Sequence, residues 1–592
     1  MMKRFLALLC SLAVLPLLGT ADETSKEPGP SASSKALAAI VEEYETYQLE
    51  RNPGARIQRS LDVTRLPDFS YEAEQKDAAF SRALRERLAR VDAAGLTHEE
   101  WLTREILDWQ LGLSVEGLEH VRTIFQITPY NAPFRGQLHE VFTSFTFDDE
   151  KDLDRYLDLL RQYAVAIGQL RANLEAQRGN DVLLPKAEIE PVVGLVRSFI
   201  RSPEESLFEV ASSRLSKIDA QRAKAFQTEV RQLVESAVNP ALEKLAAVPD
   251  LPEYRKAAPD RVGLGQYMGG QEAYRYLVRA YTSLNVTPEE VHQRGLEEIA
   301  RLNTRLEEIR KKVGFAGSLE EFRGFLKTDP RFFVKTPEEV AERLMAPIRR
   351  LEPRVEDFFL RMPKAPYGVA RLEPELEGTI TYGYYRQPTP ARNRGDYMFN
   401  GSQLDARSML SAAALIFHEL VPGHHFQISL QLENDELPEL RKNSYPTAFV
   451  EGYAMYASGL AEEMGGYADL YEIAGWIAND LFLSSRLVVD TGMNALGWPR
   501  QRAIDYMQAN TFESSTQIGT ETLRYSADIP GQALAYKMGS NKIWELRRKA
   551  EKELGKKFDI RRFHETVIGS GAMPMTVLEK HVEWWIGEER KR

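Results

Sequence analysis

The stretch LDRYLDLLRQYAVAIGQLRANL, residues 153–174, sets the class of the fold. Leu153, Tyr156, Leu157, Leu160, Tyr163, Ile167, Leu170 and Leu174 recur mostly at steps of three and four, the repeat of a helix with one apolar face. Residues 97–113 and 217–247 carry similar spacing. Two helix starts are marked by their chemistry. Thr287-Pro288-Glu289-Glu290 and Thr336-Pro337-Glu338-Glu339 each place a hydroxyl at the N-cap, proline at N1 and glutamate at N3. One region departs from this pattern. Between Gly378 and Gly401, Thr379, Ile380, Thr381, Tyr382, Tyr384 and Tyr385 are β-branched or aromatic, and Pro388, Pro390, Asn393 and Gly395 supply turn chemistry. That reads as one or two strands and a loop. The expected fold is mostly α with a small β element.

Composition narrows the class further. The chain has 592 residues, 43% of them hydrophobic, which is enough for a large buried core and excludes a disordered or fibrous protein. Its 76 Lys and Arg against 87 Asp and Glu leave a net charge of −11, the wrong sign for a nucleic-acid partner. Cys10 is the one cysteine, which excludes disulfides, cysteine-ligated zinc fingers, iron–sulfur clusters and thiol proteases.

Met1 to Arg4 is a short positive stretch, Phe5 to Leu18 is apolar, and Gly19-Thr20-Ala21 offers small residues for cleavage. This layout predicts a signal peptide over 1–21, cut after Ala21, and a periplasmic or secreted protein. The apolar run is shorter than the roughly 20 residues of a membrane-spanning helix, so no stable membrane insertion is expected after cleavage. Too little apolar chain precedes Cys10 for it to be a lipid-attachment site. Residues 22–34 read as a polar linker, 35–265 as an N-terminal helical region and 266–592 as a second helical region carrying the candidate catalytic site.

Three of the nine histidines, His418, His424 and His425, fall in the segment His418-Glu419-Leu420-Val421-Pro422-Gly423-His424-His425-Phe426-Gln427. It follows Ser411-Ala412-Ala413-Ala414-Leu415-Ile416-Phe417, a strong and apolar helix former. A His-Glu pair on a helix with a later His is the arrangement of zinc hydrolases, in which imidazoles hold the metal and the glutamate takes a proton from water. The usual second histidine, four residues on, is here Pro422. On a straight helix His425 would return to within about 20° of His418, but Pro422 and Gly423 interrupt that helix and can re-aim either histidine. Wheel arithmetic leaves both open. Glu451 lies in the apolar helical stretch Thr447 to Tyr456, where a carboxylate is costly to bury unless paired or bound to a metal. Two imidazoles and a carboxylate would leave a fourth zinc position for water.

The order His418-Glu419-x-x-Pro422-Gly423-His424-His425-x-Gln427, then Glu451-Gly452-Tyr453-Ala454-x-Tyr456, resembles the bacterial family of unknown function 885 (DUF885), viewed as zincin-like metallopeptidases. The likeness continues through Arg486-Leu487-Val488-Val489-Asp490-Thr491-Gly492, Glu521-x-x-Arg524-Tyr525, and Pro530-Gly531-Gln532-Ala533-Leu534-x-Tyr536-Lys537-x-Gly539. It reaches Gly571-Ala572-x-Pro574 and extends back to Thr287. The resemblance implies a large helical zincin-like metallopeptidase of the gluzincin type, with its small β element beside the active-site cleft. It implies one Zn2+ per chain on His418, His424 and Glu451, with His425 in reserve and Glu419 as general base. At position 494 the family pattern leads to histidine, and this chain has Asn494.

Further roles follow on the same footing. Tyr525 is a candidate donor to the oxyanion and Arg524 a fork for a substrate carboxylate, against a structural pairing of Arg524 with Glu521. Asp490 is a candidate to orient a ligating imidazole, against an ion pair with Arg486. Tyr384, with Tyr385, is a candidate lining of the cleft along a strand, against a place in the core. The expected function is an exported zinc-dependent peptidase acting on small peptides. The rivals are another zinc hydrolase, an amidase or esterase, and a non-catalytic binding protein, which would have no use for Glu419.

Overall fold

The structure, a computed structural model, describes residues 30–374, 376–377, 383–389 and 392–592. The segment that set the fold class becomes α1 (Glu150–Gly179), started by a reciprocal cap between Asp149 and Asp152. All eight residues of its apolar stripe are buried, each contributing about 1.5–3 kcal/mol by leaving water. Residues 97–113 fall in the helix His98–His120, and 217–247 in Ala220–Leu233 and Asn239–Asp250 with a wider π turn between them. α2 (Gly270–Thr282) precedes α3 (Pro288–Lys312), and Thr287 and Glu290 cap the latter reciprocally as their spacing implies.

The β region holds three strands: β1 (Tyr367–Arg371), β2 (Gly383–Arg386) and β3 (Gly395–Phe399), in the order β1-β3-β2. β3 is central, parallel to β1 and antiparallel to β2. β1 was not foreseen: Tyr367 to Arg371 is only five residues long and lies outside the Gly378–Gly401 region read as β. Thr379 to Tyr382 and Pro390 lie outside the described residues, as do the expected signal peptide with Cys10 and the linker up to residue 29.

The chain then returns to helix: α4 (Ala412–Glu419), α5 (His424–Leu432), α6 (Thr447–Glu463), α7 (Leu470–Asn494), α8 (Ser515–Leu523) and α9 (Ala535–Leu554). The fold is mostly α with one small sheet. The largest buried cluster takes in residues from Val63 to Ile586, α1 and α6 among them. No helix among the described residues is long and apolar enough to cross a membrane.

Two close approaches position the site. α6 and α9 touch through glycines: a Cβ on Gly452 would come within 2.5 Å of the Gly539 backbone, and one on Gly539 within 1.9 Å of the Ala448 carbonyl oxygen. α7 lies against the start of α4, where a Cβ on Gly475 would meet the Leu410 carbonyl at 2.0 Å. Ser458 Oγ on α6 also donates to the Ala414 carbonyl on α4 at 3.0 Å.

Candidate metal centre

α4 stops at Glu419 because the segment after it cannot continue a helix. Pro422 has no N–H to donate, and Gly423 folds back so tightly that a Cβ there would sit 1.9 Å from the His418 carbonyl oxygen. A new helix, α5, starts at His424. The break brings the last turn of one helix and the first residue of the next side by side, and the His418 and His424 rings lie 4.6 Å apart between centroids, at 83°. Glu451 enters from the first turns of α6, held close by the glycine contact at its neighbour Gly452.

Nitrogen and oxygen atoms of His418, His424 and Glu451 all lie within 4.8 Å of one another. Glu451 Oε2 is 3.5 Å from His418 Nε2 and 3.3 Å from His424 Nε2. These separations exceed the usual N–H···O range of about 2.7–3.2 Å. They match the edge of a tetrahedron whose centre-to-donor distance is about 2.0–2.1 Å, which comes to roughly 3.4 Å. The two imidazoles and one carboxylate therefore fit a divalent cation in both donor type and spacing. The trio is little exposed, at 8% and 7% for the histidines. Burial pushes the Glu451 carboxyl up, but the two imidazoles outweigh it and hold it well below the usual carboxylate range. Burial pushes His424 down, and Glu451 more than reverses that. The Nδ1 atoms of both histidines are buried with no hydrogen-bond partner among the described residues, so packing rather than an outer carboxylate orients the rings.

His425 points the other way. Its Nε2 is 3.0 Å from the Ala365 carbonyl, which can only accept, and Nδ1 is 2.9 Å from the Tyr385 hydroxyl. Burial holds its pKa down to about 4, so the ring is neutral, donates through Nε2 and accepts from Tyr385. Both nitrogens are occupied, and Gly395 of β3 leaves room for the ring: a Cβ there would fall 2.3 Å from Nδ1. Glu419, last residue of α4, is charge-coupled to His418, His424 and Glu451, with burial pushing its carboxyl up.

Other expected residues sit elsewhere. Tyr525 is fully buried, and its hydroxyl donates to Glu521 while accepting from Arg486 Nε at 2.6 Å. Its hydroxyl is engaged by that pair in this structure. Arg524 reaches Glu521 at 3.5 Å and donates to Gln532 Oε1 at 2.6 Å. Asp490 neither orients an imidazole nor pairs with Arg486. It accepts from the Tyr274 hydroxyl at 2.7 Å, Asn494 Nδ2 at 3.1 Å and the Gly531 N–H at 3.0 Å, and burial pushes it up to about 7. Asn494 uses its remaining atoms on the Tyr525 carbonyl, at 2.8 Å, and the Leu264 N–H, at 2.9 Å. It works as a structural tie, a job for an amide with donors and an acceptor. Tyr384 is 40% exposed on edge strand β2, whereas Tyr385 turns inward to His425, with its ring 6.3 Å from that of His424.

Two tyrosines that sequence reasoning passed over border the cluster. The Tyr536 ring lies 6.4 Å from His418 and nearly parallel to it, at 16°. Tyr445 is 55% exposed, yet charge-coupled to Glu451, Glu419 and Tyr536. Tyr536 stood inside a quoted motif, and its signal was available; Tyr445 had none.

Residues 54–582 match the family described as bacterial protein of unknown function, DUF885. The chain belongs to this family. Among solved structures, a candidate lipoprotein from Colwellia psychrerythraea is similar at 24% identity and a TM-score of 0.84, covering 94% of this chain and 100% of that one. A candidate lipoprotein of unknown function from Shewanella oneidensis is similar at 18% identity and a TM-score of 0.67, covering 93% and 99%. These likenesses show the fold. No curated protein matches the chain.

Proposed function

We propose that this member of the family is an exported, zincin-like metallopeptidase that uses one Zn2+ to hydrolyse peptide bonds in small peptides. The observation that carries the reading is the convergence of His418 Nε2, His424 Nε2 and Glu451 Oε2 at tetrahedral-edge spacing, with Glu419 next in the chain. Zinc suits two imidazoles and a carboxylate, and when bound it supplies Lewis acidity that activates water near neutral pH and polarises a carbonyl. Glu419 takes the proton of the attacking water on its carboxylate. As the water oxygen bonds to the carbonyl carbon and the C–N bond breaks, Glu419 passes that proton to the departing amine. Tyr445, exposed beside the cluster, offers its ring and hydroxyl to a substrate lying over it. The small exposure of the trio favours an extended, short peptide over a folded protein. Export is supported by the apolar run Phe5–Leu18 and by the descriptions of the two solved relatives.

The test is elemental analysis of the purified chain beside a screen of peptide hydrolysis, with Glu419→Gln in parallel. One zinc per chain in both proteins, and turnover in the unmodified one alone, is the expected result. A Glu419→Gln protein as active as its parent would sink the mechanism.

A further inference from the structure

Beside the cluster, two buried guanidiniums share one carboxylate. Arg486 Nη2 is 3.2 Å from Glu521 and Arg524 Nη1 is 3.5 Å from it, with side chains only 7% and 14% exposed. Glu521 is also taken by the Tyr525 hydroxyl and by Gln517 Nε2 at 3.0 Å, so its acceptor capacity is used up. The remaining partners of the two arginines are neutral: Tyr525 for Arg486 and Gln532 for Arg524. Arg524 Nε is buried with no partner among the described residues. The next acids do not close the gap. Asp490 accepts from Tyr274, Asn494 and Gly531, and Asp528 lies beside Glu188; both acids feel the Arg524 charge without a direct ion pair to it among the described residues. Among the described residues the one carboxylate Arg524 contacts is the shared Glu521, at 3.5 Å, so its buried Nε is left with capacity for a further acceptor.

The position of this arginine pair matters. Arg524 lies 5.2 Å over the ring of Tyr130, which is 47% exposed, so a partly solvent-exposed ring covers the pair on that side. The Arg486 guanidinium lies 5.0 Å over the ring of Tyr536, whose own ring lies 6.4 Å from His418. A single aromatic ring thus separates the arginines from the metal cluster. A substrate passing beside that ring would cover the distance with one or two extended residues at about 3.3–3.6 Å each. A guanidinium fork suits a carboxylate through two parallel N–H···O bonds.

We infer that Arg524, backed by Arg486, receives the free α-carboxylate of the substrate, so that the site releases one or two residues from the C-terminus of a peptide. This rests on the peptidase reading for the cleavage and on the arginine pair for the specificity, and the two can be separated. Zinc-loaded Glu419→Gln protein, which retains the cleft without turnover, is titrated calorimetrically with glycyl-leucine and with glycyl-leucine amide. The free acid is expected to bind at least tenfold more tightly, and adding Arg524→Gln is expected to erase the difference. Equal affinity for acid and amide overturns the inference without relying on any arginine variant. Mass spectrometry of products from the unmodified zinc-loaded protein supplies the second readout, using an octapeptide and its C-terminal amide. Release of one or two residues from the acid alone supports the inference. Cleavage of both peptides at the same interior bond overturns it and leaves the peptidase reading standing. No cleavage of either, with discrimination between acid and amide intact, sinks the peptidase reading and keeps the carboxylate site.

Discussion

Glu451 and Glu188 are both carboxylates held away from water, and they respond in opposite directions. Glu451 faces two imidazole nitrogens and is held low. Glu188, on the helix Lys186–Ser198, is fully buried, and neither of its oxygens has a hydrogen-bond partner among the described residues. Its neighbour is Asp528, itself 3% exposed, and burial pushes both acids above the usual carboxylate range, with Asp528 adding its own charge to the effect at Glu188. Burial sets the same penalty in both places; the partner decides the sign. A third case lies between them. Asp480 is 1% exposed and is balanced by Lys537, whose Nζ donates to both of its oxygens at 2.7 Å.

The comparison can be broken most sharply at the metal cluster. His418→Ala removes one of the two imidazoles, and zinc content is expected to fall from about one per chain to near zero; full retention would mean the metal sits elsewhere. Glu419→Gln keeps the three donors, so metal content should be unchanged while kcat falls by about 10²–10⁴-fold. Lys537→Met would make Asp480 resemble Glu188, a buried acid without its cation. The expected cost is about 3–5 kcal/mol, read as the midpoint of urea unfolding, and a loss under 1 kcal/mol would show that Glu298, 3.2 Å from Lys537, and Arg301, 3.6 Å from Asp480, reorganise to compensate.

The smallest effect belongs to Glu188→Gln. Unfolded carboxyls titrate near pH 4, whereas the folded Glu188–Asp528 pair keeps a proton above that range. Over this window the folded state binds more protons than the unfolded state, so stability falls as pH rises through it. Removing one titrating group should flatten that slope and raise stability at pH 8 by roughly 1–2 kcal/mol. Denaturant melts at pH 5 and pH 8 decide it, and an unaltered slope would place the proton on other groups.

What could be read in the chain and what could not divides along the range of the interactions. The stripe of α1, the caps at Thr287 and Thr336, and the His-Glu pair on a helix that ends before Pro422 all rest on residues within a turn or two of each other. Helical periodicity and capping are short-range, so sequence alone determined the mostly α class and the segment that carries the candidate metal donors. The choice between His424 and His425 was different. It turned on where Gly423 lets the backbone approach His418, and on Ala365 and Tyr385 occupying both nitrogens of His425. Tyr525 and Asp490 likewise took partners from distant helices, Arg486 for the one and Tyr274 for the other. A buried polar group bonds to whatever tertiary packing puts nearest, and no local pattern states what that will be. Only the tertiary structure decided which acids are paired, which are bare, and which nitrogens remain free to hold a metal.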